Sequence, residues 1–210
     1  MKTRYHIEIT QKALGKYFSS GSMEAIIDAN ISQDRIVYQF GHDHFHFDGS
    51  AFAAGFSYIA EQEEQVIHCI DEEDFSSARA AFGRMTHTWQ DFYAHSNYVT
   101  LWVDSHGWEN PELIDFKDAA IMQNPLLRSG KNYGVIEFIA LLPGISKLIR
   151  PLMPPDSHAQ MNLDDPAAGE LFIYAYWGAF KRTRDVFNKL LLQLNGSHIS
   201  QIKISAFLGR

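Results

Sequence analysis

"GRMTHTWQDFYAHSNYV", residues 83–99, spaces His87, Asp91 and His95 four residues apart among Trp, Phe and Tyr. Four-residue spacing puts side chains on one face of an α-helix, and over two turns the three drift by only about 80°. In the preceding "DEEDFSSARAAFGRM", Asp74 or a following Ser can cap a helix. Phe75, Ala78, Phe82, Met85, Trp89 and Phe92 keep helical spacing, which predicts one helix over 74–102. A single buried His is usually a core group bonded to backbone or an acid. Three such groups in a line, in a segment too apolar to be a solvated face, would each need a partner of their own, and metal ligation meets that need. His87 and His95 are separated by about 12 Å of helical rise, too far for one ion, whereas Asp91 between them can bridge two. Ions roughly 4 Å apart suit a hydrolytic centre that holds the attacking and leaving oxygens of a phosphoryl group.

The rest of the chain reads as helical. Residues 3–18 form a candidate helix with Thr3 as N-cap and Gly21 beyond its end, and "SMEAIIDANISQDRIVYQF" (22–40) forms another with a break near Asn30. Asp48 and Ser50 can start "AFAAGFSYIAEQEEQVIHCI" (51–70), a role that fits Asp48 better than metal ligation. Asp165 followed by Pro166 opens a long helix that stops at Asn195 and Gly196. Gly107, Pro111, Pro125 and Gly130 mark 104–134 as a long loop with at most one short helix. The fold class expected is all-α, a single-domain bundle over 1–210, and a chain 46% hydrophobic and 20% charged suffices for one core.

Composition narrows the chemistry. The net charge of −7, with no basic run, makes nucleic-acid binding unlikely, because phosphate affinity comes mainly from Lys and Arg. The lone Cys69 leaves His and carboxylates as the ligands for any transition metal. "MKTRYHIEIT" lacks the apolar stretch of a secretory signal, and "VIEFIALLPGISKLI" (135–149) is interrupted by Glu137, Pro143, Gly144 and Lys147. A soluble, cytoplasmic protein without a transmembrane segment is expected.

Further ligands are available in "QDRIVYQFGHDHFHFD" (33–48), which offers Asp34, His42, Asp43, His44 and His46. On an extended backbone the three His would point one way. His6, on the first helix, and His158, in the loop before the long C-terminal one, complete the candidates. His68, beside Cys69, reads as core, and His106 and His198 read as surface. Trp102, Trp108 and "LLPGISKLIRPLMPP" (141–155) either line a lipid-facing mouth or pack on the core.

"GRMTHTWQDFYAHSNYV" resembles the signature of the Het-C-like proteins and, more distantly, the zinc-dependent phospholipases C and zinc single-strand nucleases. The resemblance implies an all-helical fold of that phospholipase C/nuclease type with two or three Zn2+ ions. It extends to Asp34 and His46, matching an Asp set a little over ten residues before a His; to His6 in "TRYHIEITQKAL"; and to His158 in "DSHAQMNLDD". The implied ligands are His87, Asp91, Asp34 and His46 for the centre, His95 and His158 for a second ion, and His6 with bridging Asp91 for a third. Two departures stand out. Asn162 occupies the position of an expected acid four residues after His158, leaving Asp164 and Asp165 as the nearest carboxylates, and Met1 alone could complete the His6 site. The implied activity is zinc-dependent hydrolysis of a phosphodiester or phospholipid, with transient contact at a membrane surface and Asp43 as base. The alternative is a non-catalytic Het-C-like recognition domain with structural metal.

Overall fold

A computed structural model describes residues 1–35, 37, 41–131, 133–134 and 149–210. Among the described residues there are ten α-helices and no β-strand. They are α1 Thr3–Leu14, α2 Ser20–Ser32, α3 Asp43–His46, α4 Phe52–Asp71, α5 Phe75–His95, α6 Tyr98–His106, α7 Ala119–Met122, α8 His158–Met161, α9 Leu171–Asn195 and α10 Gln201–Leu208.

Helix α5 is the axis of the molecule and packs against α2, α4 and α9. From Met85 to His95 every residue is buried, which is the state of a helix surrounded on all sides. Phe82, Phe92 and Tyr93 are fully enclosed, and each Phe contributes about 1.5–3 kcal/mol through apolar burial. The close approach of α2 depends on Gly83: a Cβ there would lie 2.3 Å from the Ile26 carbonyl oxygen. On the α9 side, the buried Arg182 guanidinium lies 4.0 Å over the Trp89 ring and donates to the Tyr93 hydroxyl at 3.1 Å.

The helix over 74–102 is two helices. Asp74 caps α5 as expected, accepting from the Ser77 amide at 3.0 Å. At the far end Ser96 is extended, and the Gly130 amide takes the His95 carbonyl at 3.1 Å, so the chain turns before α6 begins. The first helix starts with Lys2 rather than Thr3 at the cap and ends at Leu14, and Gly21 lies inside the first turn of α2. Helix α2 runs unbroken through Asn30, whose buried amide bonds to Thr86 and Gln90 on α5 instead of competing for its own backbone.

Asp48 does not cap α4. A 3-10 turn, Asp48–Ser50, intervenes, Ala51 takes the cap position, and the Asp48 side chain is freed for another use. Asp165 caps only the 3-10 turn Pro166–Ala168; Gly169, at φ +108°, breaks it before α9. The stop at Asn195 and Gly196 is as expected, and α10, capped by Ser200, follows it without a sequence expectation. Between α6 and residue 134 lie the 3-10 turn Pro111–Leu113 and α7, one short element more than expected.

Among the described residues no helix is long and apolar enough to cross a membrane. Most of the segment read as a lipid-facing mouth, 141–148, lies outside the described residues, as do 36 and 38–40. Trp102 is buried in the core, whereas Trp108 is exposed.

Candidate metal centre

The polar stripe of α5 is fully internal: His87, Gln90 and Asp91 have no exposed surface, and His95 has 5%. Asp91 lies at its middle with its two oxygens facing different partners. Oδ2 is 3.0 Å from His87 Nε2 and 2.8 Å from His46 Nδ1. Oδ1 is 3.2 Å from His6 Nε2 and 3.8 Å from His95 Nε2. The amino group of Met1 also meets Oδ1 at 2.6 Å, and it touches Asp164 Oδ1 at 3.0 Å and His95 Nε2 at 3.1 Å.

Two sets of donor atoms converge closely enough to hold an ion each. His6, Asp34, His87 and Asp91 form one set and Asp48, His95 and His158 the other, with the donor atoms of each set within 4.8 Å of one another. Donors bound at about 2.0–2.2 Å from one ion lie at most about 4.4 Å apart, so each set closes with a small contraction. Nε2 of His6, His46 and His158, Nδ1 of His87 and Oδ1 of Asp48 are buried without a hydrogen-bond partner. Orphaned polar atoms are costly in a core, and a cation at either donor set would remove the cost for His6 Nε2, Asp48 Oδ1 and His158 Nε2; His46 lies in neither set, and His87 turns Nε2 rather than Nδ1 toward Asp91. Imidazole with carboxylate suits zinc among the common ions.

The elements that aim these groups differ. His6 stands on α1, Asp34 just past α2, and His87 and Asp91 on α5. Asp48 and His158 come from short pieces laced by backbone bonds: Gly49 N–H to Gly130 C=O at 2.8 Å, and His158 N–H to Lys131 C=O at 2.9 Å. Gly130 lies so close that a Cβ there would be 2.5 Å from His158 Cα. A cleft of about 780 Å³ opens over this side, bordered by Asp48, His95, His158, Asp164, Lys2 and Arg4.

Electrostatics follow the burial. Desolvation drives the His87 imidazole down to about 4, against the pull of Asp91. Burial also lowers His95, but Asp91 and a hydrogen bond to Asp164 outweigh it and raise that group to about 9. Burial pushes the Asp91 carboxyl up, yet the Met1 ammonium and the His95, His87 and His6 rings hold it well below the usual range. For Met1, Asp164, Asp91 and Asp34 together overcome desolvation and carry the amine to about 11.

All seven sequence-derived ligands reach this region, but their grouping changes: His6 joins Asp34 and His87, while His46 approaches Asp91 from beside them. The His42, His44 and His46 run is not extended. His42 precedes α3, which carries His44 and His46, so only His46 is buried toward the site, and the rings of His42 and His44 lie against Phe45. Asp43 is exposed at the start of α3 and does not border the cleft. His68 is exposed, not core, because α4 buries the face carrying Val66, Cys69 and Ile70. His106 and His198 are exposed as expected.

Asp48 is the carboxylate that reasoning from the sequence assigned elsewhere; it lies 3.6 Å from His95 Nδ1 and 4.0 Å from His158 Nε2. Three residues, Gly49, Ser50 and Ala51, separate Asp48 from the first residue of α4. Asn162 is buried at the end of α8 and belongs to neither donor set.

Comparison with known proteins adds one relationship. The VWA7 N-terminal domain family matches residues 4–114, a span that includes His6, Asp34, Asp48, His87, Asp91 and His95 and stops before His158 and Asp164. No curated protein and no solved structure matches the chain. With more than half of its residues in that match, the chain belongs to the VWA7 N-terminal domain family.

Proposed function

We propose that this chain is a zinc-dependent phosphodiester hydrolase of the phospholipase C/nuclease type, related to the Het-C-like proteins. The observation that carries the reading is Asp91, whose two oxygens face two groups of imidazoles in a buried setting. Zinc, when bound, would supply Lewis acidity that draws charge from a phosphoryl oxygen and makes water acidic near neutral pH. His6, Asp34, His87 and Asp91 would hold one ion and Asp48, His95 and His158 another, with His46 at the shared edge. A third ion would have to share His6 and Asp91.

The chain's own groups shape the rest. Arg4 and Lys2 border the cleft, Lys2 paired with Asp165, among the carboxylates of Asp34, Asp48 and Asp164; a phosphodiester or a phospholipid headgroup would need bound zinc to offset that negative charge. Asp164 also borders the cleft and is held well below the usual carboxylate range, burial being outweighed by the Met1 amine and His95, so it stays ionised and adds negative charge beside His95. Asp43, the base expected from the sequence, would have to act from outside the cleft.

A second reading is favoured by Asn162 at the expected acid position: a Het-C-like recognition domain in which the metal braces the helices. Hydrolysis of a chromogenic phosphodiester and of phosphocholine ester vesicles decides between them. The hydrolase reading expects turnover that rises with pH, is abolished by chelator and returns with zinc. Zinc-loaded protein no faster than free zinc on both substrates and on single-stranded nucleic acid rejects it in favour of the recognition domain.

A further inference from the structure

Gln90 precedes Asp91 on α5, is fully buried, and holds the far side of His6. Its Oε1 lies 2.6 Å from His6 Nδ1 and accepts from Asn30 Nδ2 at 3.2 Å, while its Nε2 donates to Thr10 Oγ1 at 3.1 Å and Thr183 Oγ1 at 3.2 Å. Two hydroxyls fix the direction of this network. Thr86 donates to the Gly83 carbonyl and Thr183 to the Ala179 carbonyl, each at 2.8 Å, shorter than their contacts with the amides. With those hydrogens spent, both oxygens act as acceptors, so Asn30 turns its NH2 to Thr86 and Gln90 turns its NH2 to Thr183.

The amide oxygen of Gln90 is thereby left facing His6, and Nδ1 must carry the ring hydrogen. A neutral imidazole has only one. Nε2 is then a bare lone pair, buried without a hydrogen-bond partner and 3.2 Å from Asp91 Oδ1. Two acceptors at that separation repel unless a cation lies between them. An outer amide or carboxylate that accepts from the non-ligating nitrogen is the usual way a metal-binding His is oriented.

We propose that Gln90, held by Asn30, Thr10 and Thr183, is a positioning residue that locks His6 in the Nδ1–H tautomer and so offers Nε2 to the metal ion of the His6, Asp34, His87 and Asp91 group. The ligand half of this statement rests on the zinc reading above; the tautomer half does not. Four helices contribute to the lock: α1 through Thr10, α2 through Asn30, α5 through Thr86 and α9 through Thr183. Formation of the metal-ready ring is therefore tied to assembly of the bundle.

The test is a long-range 1H–15N correlation of the full chain, labelled at histidine, stripped of metal and held at pH 8, with His6 assigned by loss of its signals in His6→Asn. Wild type and Gln90→Glu should show the Nδ1–H form, since a carboxylate also accepts from Nδ1. Gln90→Met should move His6 toward the Nε2–H form and, in competition titrations with a chelator, weaken zinc binding by about 10- to 100-fold with helix content unchanged. Should Gln90→Met not fold, Thr183→Val, which removes an acceptor orienting the amide, carries the same expectation. An Nε2–H ring in wild type, or equal zinc affinity in wild type and Gln90→Met, overturns the proposal. An Nδ1–H ring in a wild-type protein that takes up no zinc overturns the metal reading and the ligand role together, while the tautomer lock stands.

Discussion

The two donor groups share Asp91 as neighbour but are built in opposite ways. His6, His87 and Asp91 stand on helices whose apolar faces make the core, so packing of α1, α2 and α9 on α5 fixes where these side chains point. The second group takes His95 from the last turn of α5 and reaches for Asp48 and His158 on short elements held by backbone bonds to Gly130 and Lys131. The family match covers the first group entirely and, of the second, Asp48 and His95 but not His158. Core packing thus fixes His6, His87 and Asp91 of the first group, whereas the second depends on a few bonds between short elements.

The largest effect is expected at Asp91, a member of the first group and a neighbour of His95 in the second. Asp91→Asn removes the charge that faces the Met1 amine and the four imidazoles, and breaking a buried ion pair costs on the order of 3–5 kcal/mol. Its melting temperature and zinc content should both fall below those of His198→Ala, an exposed control. Equal values for the two variants would remove Asp91 from the centre of the account.

A more selective break is available at Gly130. The methyl of Gly130→Ala must displace the His158 backbone, because its Cβ would lie 2.5 Å from His158 Cα. The expected outcome is weaker zinc binding at one site of two, with helix content unchanged, whereas Gly83→Ala, which wedges α2 from α5, should lower thermal stability by about 1–3 kcal/mol. If Gly130→Ala bound zinc at both sites as wild type does, the second group would not depend on this loop contact.

The smallest effect separates the groups by proton linkage in metal-free protein. His87, lowered to about 4 from 6.5, is protonated more readily in the unfolded chain, so it makes stability rise with pH from about 4 to 6.5. His95, raised to about 9, is protonated more readily in the folded chain, so its stabilisation is full below 6.5 and is lost as pH rises through 9. Denaturant titrations across pH should find greater stability near 6.5 than at either 4.5 or 9. His87→Ala should flatten the acid limb and His95→Ala the alkaline limb.

Legibility from the sequence follows the same division. The α5 stripe is readable because His87, Asp91, His95 and the apolar face obey one 3.6-residue period, and His6 falls on a recognisable first helix. The end of α5 was not readable, since the break at Ser96 depends on Gly130, more than thirty residues away, taking the His95 carbonyl. Asp48 was misread because an acid before a helical run is ordinarily a cap, and only the turn Asp48–Ser50 frees it. The α3 turn escaped notice because alternating His residues look like a strand until Phe47, at φ 59°, reverses the chain after a single helical turn.

The central claim is that Asp91 joins two metal sites, and the zinc-to-protein ratio of the purified chain tests it most directly. Elemental analysis after exhaustive dialysis against metal-free buffer should return more than one equivalent in wild type, close to one in His158→Ala, and well under one in Asp91→Asn, because buried His and carboxylate sets hold zinc tightly. Less than about half an equivalent in wild type, with no uptake when zinc is added, would contradict the account.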